Sequence, residues 1–268
     1  LFGRDDELAW LRDVAEPRAL APPRLVVVEG EAGMGKTTLV RALAGGTSMR
    51  VRWAQGAEEG APPFWVWRQL VPEVHADRAG DRFALFGALR DIVVADRGCL
   101  LVVDDVQWAD EPSLLALRLL LRDPACRGVV CCATRRSGAA GAGWDQVGPD
   151  LLSGADVDRR VLRGLDEPSV ADLLRATVGR DLATAEIRQA ARASSGNPLF
   201  LRELARLLAA GTGPATESLA EIVMARVRRL DPPAQRLLRA ASLLTEEFEL
   251  TVVARLLDLP TAGCLPAA

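Results

Sequence analysis

The glycine-rich stretch at residues 30–38 constrains the fold of this chain more than any other part of its sequence. It reads Gly-Glu-Ala-Gly-Met-Gly-Lys-Thr-Thr and fits the pattern G-x-x-x-x-G-K-[ST], in which backbone N–H groups curl around phosphate oxygens. An apolar, β-branched run at 24–29 precedes it and predicts a buried strand, while 39–44 predicts a helix that the glycine pair at 45–46 ends. This order of strand, glycine loop and helix N-terminus favours an α/β fold and a bound phosphate group.

Two side chains of this loop are suited to phosphate and metal chemistry. Lys36 is the only lysine in the chain, so a sequence that otherwise uses arginine keeps a compact ammonium where it can reach the β- and γ-phosphates. Thr37 is expected to place its hydroxyl on Mg²⁺. We predict that the whole loop binds the nucleotide, through Gly30, Glu31, Ala32, Gly33, Met34, Gly35, Lys36, Thr37 and Thr38.

A second pattern, at 99–105, places two carboxylates at the end of an apolar run. The apolar residues predict a buried strand, and Asp104 and Asp105 follow at its carboxyl end, which is the edge where parallel α/β sheets bind ligands. Asp104 is expected to hold Mg²⁺, directly or through water, and Asp105 to orient and polarise the attacking water. The alternative is a carboxylate pair that caps the following turn. A bound cation would relieve the repulsion between the two groups.

Three further predicted strands complete a five-stranded parallel core. Arg135 and Arg136 follow one of them, where an arginine could contact the γ-phosphate; the alternative is a solvated pair of arginines. Small residues at 138–143 predict a loop. The three predicted strands lie at 50–54, 128–134 and 159–163.

From residue 165 onward the pattern is helical, without a strand. A Gly-Asn turn places Pro198 at the first position of one of the predicted helices. We therefore divide the chain into an α/β core at 1–164, a helical subdomain at 165–230 and the start of a further domain, cut short, at 231–268. The predicted helices lie at 168–178, 183–193, 198–210, 216–230, 233–244 and 249–257.

Composition excludes several other classes of protein. The net charge is −3 and the pI about 5.4, so nothing predicts nucleic-acid binding by this segment. The five cysteines form no C-x-x-C pair and the single histidine supports no histidine-based site, which indicates reduced thiols and no structural metal. No apolar run reaches the ~18 residues of a membrane span and no signal peptide is visible, so we expect a cytoplasmic protein without a membrane partner.

The lack of a second lysine also narrows the choice of nucleotide. A GTPase of the usual type reads guanine with an Asn-Lys-x-Asp segment, and a protein kinase needs a strand lysine besides its glycine loop. Lys36 is committed to the glycine loop and can supply neither. An adenine nucleotide, ATP or ADP, is therefore the expected ligand.

Five motifs together resemble those of the STAND branch of the AAA-related P-loop ATPases, and the resemblance extends over essentially the whole chain. The string Asp-Asp-x-x-Trp-Ala-Asp is similar to that of the large ATP-binding regulators of the LuxR family. The motifs are specific for the ATPase and less so for the output domain attached to it. They are Phe2-Gly3-Arg4, the glycine loop at 30–38, the run at 100–110, Ala133-Thr134-Arg135 and Gly196-Asn197-Pro198-Leu199-Phe200.

The resemblance implies roles that the residues alone do not. Phe2 and Arg4 would lie near the adenine, Pro198 would close over the nucleotide from a helical lid, and Arg135 would be the sensor at the end of the fourth strand. Residues from about 231 would begin a winged-helix domain. In this family an ADP-bound form is closed and inactive, whereas ATP with an inducer opens it and permits self-association.

The leading hypothesis is a signalling switch, the N-terminal ATPase part of a LuxR-type transcriptional regulator whose DNA-binding domain lies outside this chain. Asp105 stands where fast motors usually carry Glu, so we expect slow, Mg²⁺-dependent hydrolysis. The alternatives are an AAA-type motor or loader that acts on DNA and a degenerate ATP-binding scaffold. The predicted catalytic residues are Lys36, Asp104, Asp105 and Arg135, and the predicted metal ligands are Thr37 and Asp104.

Overall fold

Five parallel strands form the centre of the chain, in the order β2-β3-β4-β1-β5. The computed structural model describes residues 1–16, 21–58, 60–73, 82–96, 98–154, 156–209, 227–228, 232–242 and 250–257. The prediction of a five-stranded parallel α/β core is confirmed. The strands are β1 (Arg24–Gly30), β2 (Arg50–Gln55), β3 (Cys99–Asp104), β4 (Val130–Arg136) and β5 (Val157–Val161).

Strands β4 and β5 are each shifted by two residues from their predicted positions. The chain turns at Gly128, where φ is +78°, and β4 then runs on through Arg135 and Arg136 instead of ending before them. The pairing explains the extension, because Arg136 is still in register with Gly30 of β1. Strand β5 begins at Val157, two residues before the predicted start.

Eleven helices accompany the sheet in the described residues. Helix α2 continues through the glycine pair at 45–46 that was expected to end it. The predicted helix at 216–230 lies outside the described residues except at 227–228. The helices are α1 (Asp5–Val14), α2 (Lys36–Gly46), α3 (Trp65–Leu70), α4 (Arg82–Ala95), α5 (Glu111–Arg122), α6 (Ala142–Leu152), α7 (Glu167–Val178), α8 (Thr184–Ser194), α9 (Pro198–Ala209), α10 (Pro232–Ala241) and α11 (Leu250–Leu256).

Helix α6 is absent from the sequence-based prediction, which placed a loop at 138–143 and nothing regular after it. Its buried residues follow the helical spacing i, i+3, i+4 and i+7, as Trp144, Val147, Gly148 and Leu151. Gly148 and Pro149 in the interior conceal this pattern because both are poor helix formers. Gly148 is needed by the packing, since a Cβ there would lie 2.6 Å from the Trp144 ring.

The sheet separates two apolar layers, as the alternation of side chains along β1 requires. Leu25 and Val27 face the layer that includes α3, α4, α5 and α6, whereas Val26 and Val28 face the layer of α1 and α2. The described cysteines, which are Cys99, Cys126, Cys131 and Cys132, are buried free thiols within these layers.

Helices α7, α8 and α9 pack on one another and form a separate apolar cluster, called here the helical cluster. Phe2 from the N-terminal segment packs against it. Helices α10 and α11 pack together in a small core of their own. Of the helices in the described part of the chain, none combines the length and the apolar character needed to cross a membrane.

Candidate nucleotide-binding site

The loop between β1 and α2 is curved around its own lysine and hydrogen-bonded to it. The Lys36 ammonium donates to the carbonyl oxygens of Gly30 and Glu31, at 2.8 Å each. Burial lowers the pKa of this ammonium below its usual value, while the nearby Asp105 carboxylate opposes the shift. Gly33 has φ of +80°, a conformation that glycine adopts without strain. The loop therefore keeps one buried cation at the point where α2 begins.

Thr37 and Asp104, the two predicted metal ligands, lie side by side. The Thr37 hydroxyl donates to Oδ1 of Asp104 at 2.9 Å, and the Thr134 hydroxyl on β4 donates to the same oxygen at 2.6 Å. Asp104 is 2% exposed. A hydroxyl and a carboxylate are the hard oxygen donors that Mg²⁺ prefers, and Mg²⁺ takes few protein ligands when phosphates supply the others. This pair fits the expected metal.

Asp105 follows β3 in an unusual backbone conformation. Its φ and ψ are +52° and +53°, in the left-handed region that non-glycine residues seldom occupy. Its N–H donates to the Thr134 hydroxyl at 2.8 Å, and Oδ1 of its carboxylate accepts from the side-chain amide of Gln107 at 3.1 Å. The turn directs Asp105 into the cavity described next, away from the strand that carries Asp104.

A cavity of about 300 Å³ lies between the loop and the helical cluster. Its lining is polar where the glycine loop, Asp105 and Arg136 contribute, called here the polar end, and mostly apolar where the N-terminal segment and the helical cluster contribute, called here the apolar end. Two predicted loop residues, Gly30 and Glu31, do not line it but supply the carbonyls that hold Lys36. The apolar lining residues are Leu1, Phe2, Leu165, Leu173, Pro198 and Leu199, to which the glycine loop adds Met34; Arg4 and Arg202 also line the cavity.

The two arginines at the end of β4 point in different directions, as neighbours on a strand do. Arg136 lines the cavity, and its Nε lies 3.7 Å from Oδ1 of Asp105. Arg135 instead pairs with the buried carboxylate of Glu29 at 3.3 Å and lies over the Trp144 ring, 5.3 Å from its centroid. The structure therefore does not bring the predicted sensor, Arg135, to the cavity; it brings Arg136.

Two contacts join the helical cluster and the N-terminal segment to the glycine loop. Nδ2 of Asn197 donates to the Ala32 carbonyl at 2.9 Å, while its Oδ1 accepts from the N–H of Leu199 at 3.0 Å. Arg4 is buried and donates to the carbonyls of Met34 at 3.2 Å and Arg163 at 2.6 Å. Pro198, next to Asn197, is thereby placed against the cavity.

Comparison with known proteins agrees with this geometry. Residues 1–131 match a family model described as an AAA ATPase domain. The first half of the chain is therefore similar to AAA ATPase domains, and the chain has the α/β fold of P-loop NTPases. No curated protein matches the sequence.

Two solved structures share the fold of this chain at low identity. One is a Signal Transduction ATPase with Numerous Domains (STAND) protein with a tetratricopeptide repeat sensor from Pyrococcus horikoshii, with 19% identity and a TM-score of 0.57 over 100% of this chain. The chain spans only 38% of the length of that protein. The other is a RuvB variant from Thermotoga maritima, with 16% identity and a TM-score of 0.54 over 98% of this chain and 85% of that one. These identities establish a common fold alone.

The third aspartate of the Asp-Asp-x-x-Trp-Ala-Asp string has a structural role. Asp110 caps α5 by accepting from the N–H of Ser113 at 2.9 Å and from the Ser113 hydroxyl at 2.7 Å. It also accepts from the N–H groups of Phe64 and Trp65 at 2.8 and 3.0 Å, where α3 begins. One carboxylate therefore satisfies donors at the start of two helices.

Four residues of the candidate site were not predicted from the sequence. Thr134 and Gln107 bind the two carboxylates at the end of β3, Asn197 binds the glycine loop, and Arg202 lines the cavity from α9. Thr134 lies at the end of an apolar strand and Arg202 lies one helical turn after Pro198, so both could have been predicted from their positions in the sequence. Asn197 was predicted only to lie in a turn, because its contact with the glycine loop depends on how the helical cluster packs against that loop.

Proposed function

We propose that this chain is a nucleotide-operated signalling switch that binds ATP or ADP with Mg²⁺ and hydrolyses ATP slowly in the cytoplasm. The observation that carries the proposal is that Lys36, Thr37 and Asp105 line or border one cavity whose opposite wall belongs to the helical cluster. A ligand that fills the cavity contacts both parts of the chain at once. Its phosphates can therefore influence the position of the helical cluster.

Each end of the cavity suits one end of an adenine nucleotide. The glycine loop would hold the phosphates, with Lys36 on the β- and γ-phosphates, while Phe2, Pro198 and the apolar residues around them would hold the base. Thr37 and Asp104 would hold Mg²⁺, which neutralises charge between the phosphates when bound. Asp105 would orient the attacking water.

Arg136 replaces Arg135 in the proposed sensor role. Its guanidinium lines the polar end of the cavity beside Asp105, where a γ-phosphate would bring negative charge within reach. Arg135 is held by Glu29, which is 2% exposed and also accepts from Arg159 at 2.5 Å. Because removal of Arg135 would leave a buried carboxylate with one partner fewer, its main contribution is to the stability of the sheet.

The remaining assignments extend the proposal beyond the ATPase core. Residues 165–230 would form the lid and residues 231–268 the start of a winged-helix domain. The chain would be the N-terminal part of a LuxR-type transcriptional regulator, with an inducer, self-association in the ATP state and DNA binding through a domain outside this chain. Support comes from the motif string at 100–110 and from similarity to a protein described as a signal transduction ATPase.

The first test is nucleotide binding by the wild type, Lys36→Ala and Lys36→Arg, measured by calorimetry with MgADP and MgATP. Loss of charge-assisted hydrogen bonds of about 1.5–3 kcal/mol predicts affinity lower by about 10- to 100-fold in Lys36→Ala. Lys36→Arg keeps the charge but not the compact ammonium, so we expect it to bind weakly as well. Equal affinity in the wild type and Lys36→Ala would contradict the proposal.

Turnover distinguishes the switch from the alternative, a motor or loader acting on DNA. A switch is expected to hydrolyse ATP slowly, at a rate that added duplex DNA leaves unchanged, in keeping with the net charge of −3. Hydrolysis accelerated by DNA at low salt would favour the alternative. In that measurement Asp105→Asn serves as the control, because it removes the proposed water-orienting carboxylate and should slow either activity.

A further inference from the structure

Gln107 is an almost completely enclosed polar side chain near the end of the cavity where the γ-phosphate is expected. It is 1% exposed and lies in the short 3₁₀ turn Val106–Trp108 directly after Asp105. Both ends of its amide are used. Nε2 donates to Oδ1 of Asp105 at 3.1 Å, and Oε1 accepts from the backbone N–H of Arg136 at 3.1 Å.

The orientation of this amide is fixed by its two partners. The backbone N–H of Arg136 can only donate, so it requires the oxygen of Gln107, and the amide nitrogen must then face the carboxylate of Asp105. An ionised Glu at this position would meet only the first requirement, and an apolar residue would meet neither. Position 107 therefore requires a neutral side chain with one hydrogen-bond acceptor and one hydrogen-bond donor.

The backbone around Gln107 leaves little room for adjustment. A Cβ on Gly141 would overlap the carbonyl oxygen of Gln107, so the loop before α6 lies directly against this turn. Asp105 itself is held in the left-handed conformation. The main chain is thus confined at Gln107 and strained at Asp105. The direction of the Asp105 carboxylate therefore depends on the side chain that hydrogen-bonds it.

We infer that Gln107 is a positioning residue for ATP hydrolysis. It holds the carboxylate of Asp105 toward the cavity and ties it to the backbone of Arg136, so that the groups proposed to orient water and to detect the γ-phosphate keep one separation. This inference rests on the proposed function, because it assigns Gln107 a role only through Asp105. Gln107 does not line the cavity, so it is not expected to contact a bound nucleotide.

The test compares Gln107→Met and Gln107→Glu with the wild type, by steady-state ATP hydrolysis at saturating MgATP and by calorimetric binding of MgADP. Met keeps the length of the side chain without its polar atoms. Glu keeps the acceptor for the N–H of Arg136 but loses the donor to Asp105. We expect kcat to fall by about 10- to 100-fold in both variants, as for loss of a correctly placed general base, while the Kd for MgADP changes by less than about threefold.

A double-mutant cycle with Asp105→Asn separates positioning from a merely structural role. If Gln107 acts through Asp105, then Gln107→Met should lower kcat no further in the Asp105→Asn background. Additive losses in the two variants would overturn the inference. So would unchanged turnover in Gln107→Glu, which also decides the matter if Gln107→Met proves unfolded in a urea titration.

A control and the Asp105 variant keep this test separate from that of the proposed function. Gln146→Met makes the same chemical change on the exposed surface of α6 and should leave turnover within about twofold. If Asp105→Asn hydrolyses ATP like the wild type, the proposed role of Asp105 fails, and the inference fails with it. If Asp105→Asn is slow but Gln107→Met and Gln107→Glu are not, the inference alone fails.

Discussion

The sequence Asp-Glu-Pro-Ser occurs twice in this chain, at 110–113 and at 166–169, and opens a helix each time. In both places the aspartate is the N-cap, and its Oδ1 accepts from the N–H of the serine three residues on, at 2.9 Å for Asp110 and 3.0 Å for Asp166. Proline lies in the first turn of both helices, where its missing N–H removes no helical hydrogen bond. Four residues therefore specify the same local structure in the core and in the helical cluster.

The difference lies in what the rest of the chain adds to each aspartate. Asp166 is exposed and accepts a hydrogen bond from the N–H of Ser169. Asp110 is partly buried and accepts in addition from Phe64 and Trp65, which lie more than 40 residues earlier at the start of α3. The comparison shows that a local motif predicts a helix start reliably, whereas the contribution of that motif to stability depends on distant donors.

The largest expected effect is that of Asp110→Ala. It removes the cap of α5 and leaves two backbone N–H groups at the start of α3 without their acceptor, so we expect the free energy of unfolding to fall by about 2–4 kcal/mol. Urea titration followed by tryptophan fluorescence measures the change. Asp166→Ala is the matched control, and an equal loss in both variants would show that the distant donors contribute nothing.

A smaller difference is expected between Ser113→Ala and Ser169→Ala. The Ser113 hydroxyl is buried and donates to Oδ2 of Asp110 at 2.7 Å, so its loss leaves that oxygen with one donor fewer and should cost about 1–2 kcal/mol. Ser169 lies nearer the surface, and its replacement should cost less than about 1 kcal/mol. The same urea titrations, run in parallel, give the ranking; a larger loss in Ser169→Ala would reverse it.

The smallest effect belongs to Asp166→Ala, and it should depend on pH. Hydrogen bonds from Ser169 lower the pKa of the Asp166 carboxyl. The stability that this cap contributes, about 0.5–1 kcal/mol, is therefore present above the ordinary carboxyl pKa and is lost as the pH falls through the lower folded-state value. Unfolding curves of the wild type and Asp166→Ala should accordingly converge once the pH has fallen below the folded-state pKa of Asp166. A gap that persists in acid would mean that the charge of Asp166 has no part in the cap.

The features that short local residue patterns determine were predicted well from the sequence. The glycine loop, the buried strands and the pairing of Thr37 with Asp104 follow from short motifs whose geometry is nearly independent of the rest of the chain. The choice between Arg135 and Arg136 could not be made this way, because it depends on which face of β4 each residue occupies, and β4 ends two residues later than predicted.

The contacts of Gln107, Asn197 and Asp110 also lay beyond sequence reasoning. Each joins segments that are far apart or, for Gln107, joins a turn to the neighbouring strand, so the partner is known only when the sheet order is known. Helix α6 was missed for a different reason, since Gly148 and Pro149 masked a regular spacing of buried residues. The division into domains and the LuxR-type output stay predictions.

The two hydrogen bonds of Lys36 within its own loop have a consequence for the kinetics of ligand capture. The loop already has its curved shape. An arriving phosphate therefore only replaces the Gly30 and Glu31 carbonyls as acceptor for the Lys36 ammonium, and little conformational entropy of the chain is lost on binding. Association with MgATP should therefore show no slow step that arises from the glycine loop. Any slow phase in a stopped-flow trace would report the movement of the helical cluster, which Asn197 holds against the loop.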